Sequence, residues 1–315
     1  MFDTKKITVF FITFFIFSVS NSLWADSILD EQLRDVASGG TEKQLNMLIK
    51  KGANIDAPGK YGKRPLMYAA EAGNTAIAIS LISYGAEVNA RTKKGDTALT
   101  LATQAGHAAI SALLIEFGAN VHDRTRSGMD SLMIAAKNGN VTIVEQLLQF
   151  NADVRSSNNS GDTALMLAIK SNDANVVRAL FNNSKRIAPC IPNNIGSTPL
   201  MAAISKGNAE IIDMLLPKIK HVDFQDNFGS SALHQAADKN NMKVVKYLVE
   251  HHAKVNLEDT EKETPLFYAV RSENIEVIKY LLANKADKSH KNAAGMTVSQ
   301  IAAETKNQTI IDLLK

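Results

Sequence analysis

The chain has 315 residues, of which 45% are hydrophobic, 21% are charged and 6% are aromatic. This composition is that of an ordinary globular protein with enough apolar residues for a large core. The formal net charge of +3 gives no reason to expect a polyelectrolyte partner such as a nucleic acid. The one cysteine, Cys190, excludes an internal disulfide and a cysteine-rich zinc site. Packing of side chains must therefore hold the fold together.

The first residues have the three-part layout of a secretory signal. Two lysines precede an uncharged apolar run at 7–19, and a short stretch of small and polar residues follows it. We predict a signal peptide at 1–25, cleaved after Ala25 or, alternatively, after Ser22. A retained membrane anchor is the remaining alternative, although a span needs about 20 apolar residues. The protein is therefore expected to be exported, as a periplasmic or secreted protein, and to contact a membrane only if the leader is retained.

The chain repeats itself with a period of 33 residues, which is stretched to 35 at one place. One leucine recurs in each unit except the last, where Ser299 takes its place, and a second leucine follows 15 residues after each of these positions. A glycine generally lies four residues before the first leucine, and Lys262 replaces it once. The first leucines are Leu33, Leu66, Leu99, Leu132, Leu165, Leu200, Leu233 and Leu266. Such a period indicates a repeat architecture.

Each unit has the pattern of two short helices. In the third full unit, Leu132, Ala135 and Ala136 lie at positions i, i+3 and i+4 and therefore share one helix face. A polar stretch around Gly139 breaks this helix, and a second apolar face follows at 143–148. Small alanines allow the two helices to approach closely. A pair of this size cannot bury its own apolar face, so neighbouring units must stack.

These units resemble the ankyrin repeat. Thr198-Pro199-Leu200 matches the family's pattern at the start of the first helix, and Gly85-Ala86-Glu87-Val88-Asn89 matches its pattern after the second. The resemblance covers about 27–315 and implies an all-α fold, an ankyrin-repeat solenoid of stacked helix-turn-helix units with projecting β-hairpin-like loops. We predict one ankyrin-repeat domain at 26–315, of a bacterial, exported type. Its nine units are an N-terminal cap unit at 28–58, repeats at 59–91, 92–124, 125–157, 158–192, 193–225, 226–258 and 259–291, and a truncated C-terminal cap unit at 292–315.

Two places depart from this pattern. The stretch at 181–194 is irregular and contains the two extra residues, and it is either a tolerated surface insertion or a hinge or special binding loop. The position of Gly85 is taken by Ile219 in a later unit. Because a β-branched residue does not adopt the left-handed conformation cheaply, we predict that the loop near Ile219 follows another path.

The sequence contains no recognisable catalytic constellation. The glycines are periodic and serve turns, and the adjacent His251 and His252 cannot both face one metal from a helix end. Cys190 has no orienting partner beyond a downstream His221, so we interpret it as a free thiol in a loop. His234 is interpreted as a structural hydrogen-bonding residue. We therefore predict that the protein is not an enzyme and has no catalytic residues, no metal site and no cofactor.

The resemblance implies that a partner binds to the hairpin tips and to the exposed side of the first helices. The early tips are basic and the late tips are acidic. These charges either serve solubility alone or form a binding strip whose basic end takes an acidic protein segment. Tyr61 and Phe228 are the predicted aromatic anchors, because interfaces favour aromatic residues. The candidate partner-binding residues are Lys60, Tyr61, Lys63, Lys93, Lys94, Arg126, Lys137 and Phe228.

The expected function is that of a non-catalytic protein–protein interaction module. It would act as an exported scaffold, inhibitor or host-directed effector, as a monomer, on a protein partner that the sequence does not identify. The alternative is a periplasmic accessory protein that protects or assembles a partner enzyme. Nucleic-acid binding is disfavoured by the leader and by the lack of aromatic residues interleaved with the basic ones. A hydrolase is disfavoured because no nucleophile–base pair is recognisable.

Overall fold

The computed structural model describes residues 27–183 and 186–315. The predicted signal peptide lies outside the described residues, as do two residues of the irregular 181–194 stretch. The described chain divides into two compact units. The first unit comprises the described residues up to Ala135 together with Gln149–Ala152, and the second comprises Ala136–Leu148 and Asp153–Lys315.

The described residues form 18 α-helices and no β-strand, which confirms the predicted all-α fold. None of these helices is both long enough and apolar enough to cross a membrane. The helices are α1 (27–39), α2 (Glu42–Lys50), α3 (Pro65–Ala72), α4 (Thr75–Ser83), α5 (Ala98–Ala105), α6 (Ala108–Glu116), α7 (Ser131–Lys137), α8 (Val141–Gln149), α9 (Ala164–Lys170), α10 (Ala174–Asn183), α11 (Pro199–Lys206), α12 (Ala209–Leu215), α13 (Ala232–Asp238), α14 (Met242–Glu250), α15 (Pro265–Arg271), α16 (Ile275–Ala283), α17 (Val298–Thr305) and α18 (Gln308–Leu314).

Within each of the two compact units the helices form two layers. In the first unit α3 packs against α5, while α2, α4 and α6 contact one another in sequence as the second layer. In the second unit α9, α11, α13, α15 and α17 form one row, in which each helix contacts the next. The other layer of this unit includes contacts of α10 with α12 and of α14 with α16 and then α18. The first helix of each of these repeats therefore contacts the first helix of the adjacent repeat, as stacking of repeats requires.

The pair α11–α12 shows why the helices begin and end where they do. The Thr198 side-chain oxygen accepts a hydrogen bond from the backbone N–H of Met201 at 3.3 Å, and Pro199 occupies the first helical position, where no N–H is needed. Gly207 ends α11 in the left-handed conformation, with a φ of 71°. The Asn208 side chain then caps α12 by accepting from Ile211 N at 3.2 Å.

The core is built from the two repeating positions that the sequence singles out. The leucine that aligns the units is at most 2% exposed from Leu66 to Leu266. An alanine three residues later is completely buried in eight first helices: Ala69, Ala102, Ala135, Ala168, Ala203, Ala236, Ala269 and Ala302. Where the leucine is replaced by Ser299, the side chain is exposed on α17. A polar residue therefore occupies the core position on the helix whose far side no described helix covers.

The loop near Ile219 follows its own path, as predicted. At the equivalent position Gly85 has a φ of 91°, and even His252 and Lys285 are left-handed, with φ of 66° and 68°. Ile219 instead has a φ of −80° and a ψ of 122°, after a short 3₁₀ turn at Leu216–Lys218. The β-branched side chain avoids the left-handed region, and the backbone changes its route to accommodate it.

His234 has the structural role that the sequence suggests. It is fully buried in α13, and its Nε2 donates to the carbonyl oxygen of Glu263 at 3.0 Å. Its Nδ1 accepts from the backbone N–H of Ser231 at 3.1 Å. Burial lowers the pKa of His234 below its ordinary value of 6.5, because the charged imidazolium would lose its hydration. The neutral ring thus joins one repeat to the next.

This burial predicts a measurable pH dependence of stability. Below pH 6.5 the unfolded chain binds a proton at this histidine while the folded chain does not, so the free energy of unfolding falls from about pH 6.5 downward. His234→Met introduces the residue found at the equivalent position of four other units. At pH 7.5 it should cost about 1 kcal/mol, because the hydrogen bond to Glu263 is lost. Urea unfolding at pH 7.5, 6.0 and 5.0 should show a flatter profile for the variant, and parallel profiles would contradict this assignment.

Candidate binding surface

The hairpin tips between successive helix pairs are held by one side chain each. In the tip before α13, Asp226 Oδ1 accepts the backbone N–H groups of Phe228 at 2.9 Å and of Ser230 at 3.0 Å. Short polar side chains that bond to their own backbone two residues on are a standard way to fix a turn. The same pair of hydrogen bonds is accepted by the side chains of Thr92, Asn158, Asn193, Asp259 and Asn292.

Backbone hydrogen bonds also join each tip to the next. In the first unit Lys93 N donates to Tyr61 O, and Arg126 N donates to Lys94 O, both at 2.8 Å. In the second unit the donors and acceptors at the tips are Asn194 to Ser160, Asn227 to Ile195, Thr260 to Phe228 and Ala293 to Glu261. These bonds fix the side chains of adjacent tips at a constant mutual spacing within each unit. The tips therefore present a preorganised surface rather than independent loops.

The first tip has a different conformation because Gly59 stands where the other tips carry the bonding side chain. The turn closes as a 3₁₀ segment at Lys60–Gly62, and Tyr61 is left-handed, with φ 61° and ψ 17°. A side chain at Gly59 would lie 2.8 Å from Arg34 Cδ and 3.0 Å from the Tyr68 hydroxyl. Packing thus favours glycine at position 59, and the strain of the turn falls on an aromatic residue.

Around this tyrosine the structure gathers five of the eight predicted residues. Tyr61 is 55% exposed, and the ammonium groups of Lys60 and Lys94 lie 5.2 and 5.5 Å from its ring centroid. Lys93 is exposed beside them, and Arg126 Nη2 donates to Lys93 O at 3.0 Å. We name Lys60, Tyr61, Lys93, Lys94 and Arg126 the tip cluster. It combines an exposed aromatic ring with four cations on three adjacent tips.

The other three predicted residues lie elsewhere. Lys63 forms an ion pair with Glu71 and lies 4.5 Å from the Tyr68 ring centroid, so its side chain is only 17% exposed. It joins its hairpin to α3 rather than presenting a charge. Lys137 is exposed at the end of α7 and belongs to the second unit, as does Phe228, which is 68% exposed at its tip.

The acidic residues of the late tips are mostly used inside the fold. Asp226 and Asp259 hold their own turns, and Asp223 accepts from the backbone N–H of Lys254 at 2.9 Å. Glu263 is buried and pairs with Arg271. Glu258 and Glu261 remain exposed. The acidic end of the predicted strip is therefore largely a set of structural hydrogen bonds, whereas the basic end offers accessible charge.

The family is decided by the repeats themselves. The family model described as "Ankyrin repeats (3 copies)" matches overlapping segments of the chain at 33–125, 108–189, 132–226, 185–259, 218–292 and 258–315. The chain belongs to the ankyrin-repeat family. Ankyrin repeats are general protein–protein interaction modules, and the family is typically non-catalytic. No curated protein matches the chain.

The described part of this ankyrin-repeat chain has little that resembles a catalytic centre. Cys190 is half-buried and lines a cleft together with His221 and Phe224, but that cleft holds only about 10 Å³. No group of three or more histidine, cysteine or acidic side chains within 27–183 and 186–315 could hold a metal ion. The thiol and the imidazole therefore line one narrow cleft, and His221 also lines an open surface depression of about 490 Å³ that does not include Cys190.

Two surface features of the ankyrin repeats are not among the predicted ones. Tyr84, Phe117 and Phe150 form a row of aromatic residues at the ends of α4, α6 and α8 in the first unit, each about half exposed. Their 33-residue spacing was the signal that could have revealed them. The second feature is a groove of about 390 Å³ in the second unit, which includes the tip residue Ile195 and Tyr268 of α15. No single motif marks this groove, because its residues come from four consecutive repeats.

The strain at Tyr61 can be measured by comparing glycine with alanine. Both substitutions remove the ring, but only glycine is relaxed at a positive φ, so Tyr61→Gly should be about 1 kcal/mol more stable than Tyr61→Ala. Phe228 stands at the equivalent tip position without a positive φ. There the order should reverse, with Phe228→Gly less stable than Phe228→Ala by about 0.5 kcal/mol. Chemical denaturation of the four variants measures both differences, and the same order at both tips would refute a strained Tyr61.

Proposed function

We propose that this ankyrin-repeat chain is a non-catalytic binding module that captures an acidic segment of a partner protein through the tip cluster. The observation that carries the proposal is the exposed, left-handed Tyr61 between two lysines. A non-glycine residue in the left-handed region costs about 1 to 3 kcal/mol, so the surrounding structure must hold Tyr61 in this conformation, with its ring exposed at the tip. An exposed aromatic ring ringed by cations offers a partner both apolar contact area and charge complementarity.

The chemistry of the tip cluster favours a protein over a nucleic acid. Proteins that bind single-stranded nucleic acid stack successive bases on several aromatic rings along a basic groove. The tip cluster has one aromatic ring, that of Tyr61. Its other two tips are exposed and carry lysine and arginine. A loop or strand that bears carboxylates can pair with Lys93, Lys94 and Arg126. Such a partner needs no second aromatic ring for stacking.

The test is charge reversal at two adjacent positions of one tip. Lys93→Glu with Lys94→Glu should weaken partner capture at least tenfold, about 1.4 kcal/mol or more, because two attractions become repulsions. Capture is measured by affinity purification from an extract of the native organism with identification by mass spectrometry. It should also weaken as the salt concentration rises, because exposed charges are screened.

The matched control is Lys254→Glu with Lys288→Glu, which reverses two exposed lysines of the second unit outside the hairpin tips. Circular dichroism and the melting temperature should be unchanged in both double variants. Capture that is equal in the tip variant and the parent protein would refute the proposal. Equal losses in both double variants would show a dependence on net charge rather than on the tip cluster.

The place of action that we propose is outside the cytoplasm. The support is the sequence of the leader: a basic start, an uncharged apolar run at 7–19 and small residues before Asp26. The protein would be of the bacterial, exported type, periplasmic or secreted, and would work as a monomeric scaffold, inhibitor or host-directed effector.

Export is tested at the N-terminus of the protein recovered from the native organism. Mass spectrometry of the periplasmic fraction and the culture medium should find a chain that begins at Asp26 or at Leu23, because the signal peptidase removes the leader. The cytoplasmic fraction is the control. A full-length chain that begins at Met1 and occurs only in the cytoplasm would contradict export.

A further inference from the structure

The second unit contains a groove with its own chemistry, separate from the tip cluster. The side chains that determine this chemistry are Ile195, Ala202, Lys206, Gln235, Asp238 and Tyr268. They come from a hairpin tip and from helices α11, α13 and α15. We name this site the inner groove. Its volume of about 390 Å³ is at the lower end of the range for binding pockets, which suits a few residues of an extended chain.

Most charges of the inner groove are already paired. Lys170 contacts Asp162 at 2.7 Å, and Lys239 contacts Asp238 at 3.0 Å. Asp238 also accepts from the Ser272 hydroxyl at 2.6 Å, and the neighbouring hydrogen-bond donors lower the pKa of this carboxyl group. Lys206 is exposed and forms no ion pair with any described residue. It is therefore the cation of the groove that is available to a carboxylate from outside.

Gln235 supplies a second unsatisfied group. Its side-chain amide makes no hydrogen bond with the described residues, and its Oε1 is buried. A buried carbonyl oxygen without a donor is unfavourable, because it has lost its hydrogen bonds to water. The terminal torsion of glutamine is soft, so a rotation of the amide turns Oε1 toward an incoming N–H. A peptide group matches this side chain, because it offers one donor and one acceptor.

The apolar part of the site lies at the adjacent tips. Ile195 is 56% exposed at the edge of the groove, and Phe228 is 68% exposed on the next tip. The bond from Asn227 N to Ile195 O, at 3.0 Å, fixes these two tips relative to each other. Ala202, which is partly exposed, also lines the groove. Exposed apolar side chains above an apolar floor are the arrangement in which a partner's side chain becomes an anchor.

We propose that the inner groove binds an extended segment of a partner protein in which a large apolar residue stands next to an acidic one. The apolar side chain packs against Ile195 and Ala202, the carboxylate pairs with Lys206, and a backbone peptide group bonds to Gln235. This inference rests on the proposed function as a binding module. It assigns a second site, and the side-chain amide of Gln235 is a recognition group that the tip cluster lacks.

The probe is a fluorescein-labelled peptide with a Leu-Asp-Leu-Asp centre in a glycine–serine context, with binding followed by fluorescence anisotropy. Two companion peptides replace either both leucines by serine or both aspartates by lysine. The parent protein should bind the first peptide and lose at least tenfold in affinity for each companion. Absence of binding at about 1 mM, or equal binding of all three peptides, would overturn the inference.

Variants locate the site and separate it from the tip cluster. Lys206→Glu should weaken the aspartate peptide at least tenfold and should regain affinity for the lysine peptide, which a misfolded variant would not do. Gln235→Ala should weaken both charged peptides. Lys288→Glu is the control and should bind like the parent. If Lys93→Glu with Lys94→Glu abolishes binding while Lys206→Glu leaves it intact, the peptide occupies the tip cluster, and the inner groove is refuted while the proposed function stands.

Discussion

The structure depends on one constraint: a pair of short helices cannot bury its own apolar face. The leucine that aligns the units is buried only because the next pair covers it, and the completely buried alanine three residues later lets the helices approach closely enough to do so. A larger residue at Ala203 would push α11 away from its neighbours α9 and α13. The exposed Ser299 on α17 shows the same rule in reverse, because a leucine there would leave apolar surface in water. The stability of each helix pair in this chain thus depends on the presence of the neighbouring repeat.

Once the helices are stacked, the hairpins must be attached to them, and charge serves this purpose more than binding. The residue after the tip glycine position pairs with a residue eight positions later on the first helix, as in Asp162 with Lys170 and Glu263 with Arg271. In Lys63 with Glu71 the two signs are exchanged. The sign of a loop charge therefore says little about a partner, since either order closes the same pair. What matters for binding is whether the opposite charge is already present.

This distinction limits what the sequence can predict. Local periodicity predicts the helices, the core leucines and alanines and the left-handed Lys262, because each repeat contains the pattern by itself. The behaviour of Ile219 also follows, because its β-branched side chain acts locally. The conformation of Tyr61 does not, since its turn carries Gly59 where other tips carry a bonding side chain, and this glycine lies against Arg34 of the preceding repeat. The acidic strip was predicted from charge signs alone, but carboxylates such as those of Asp226 and Asp259 hold their own turns, and these hydrogen bonds depend on the folded turn.

The two surfaces that we propose as binding sites differ in what each would contribute to binding. Exposed cations such as Lys93 and Lys94 act over a distance, so they accelerate encounter with an acidic partner and lose their effect in salt. Apolar anchors such as Ile195 act only on contact, so they slow dissociation. Differences in affinity among related complexes arise mostly from dissociation. The tip cluster should therefore select which proteins approach this chain, and a contact that excludes water, of the kind the inner groove offers, should decide how long one of them stays.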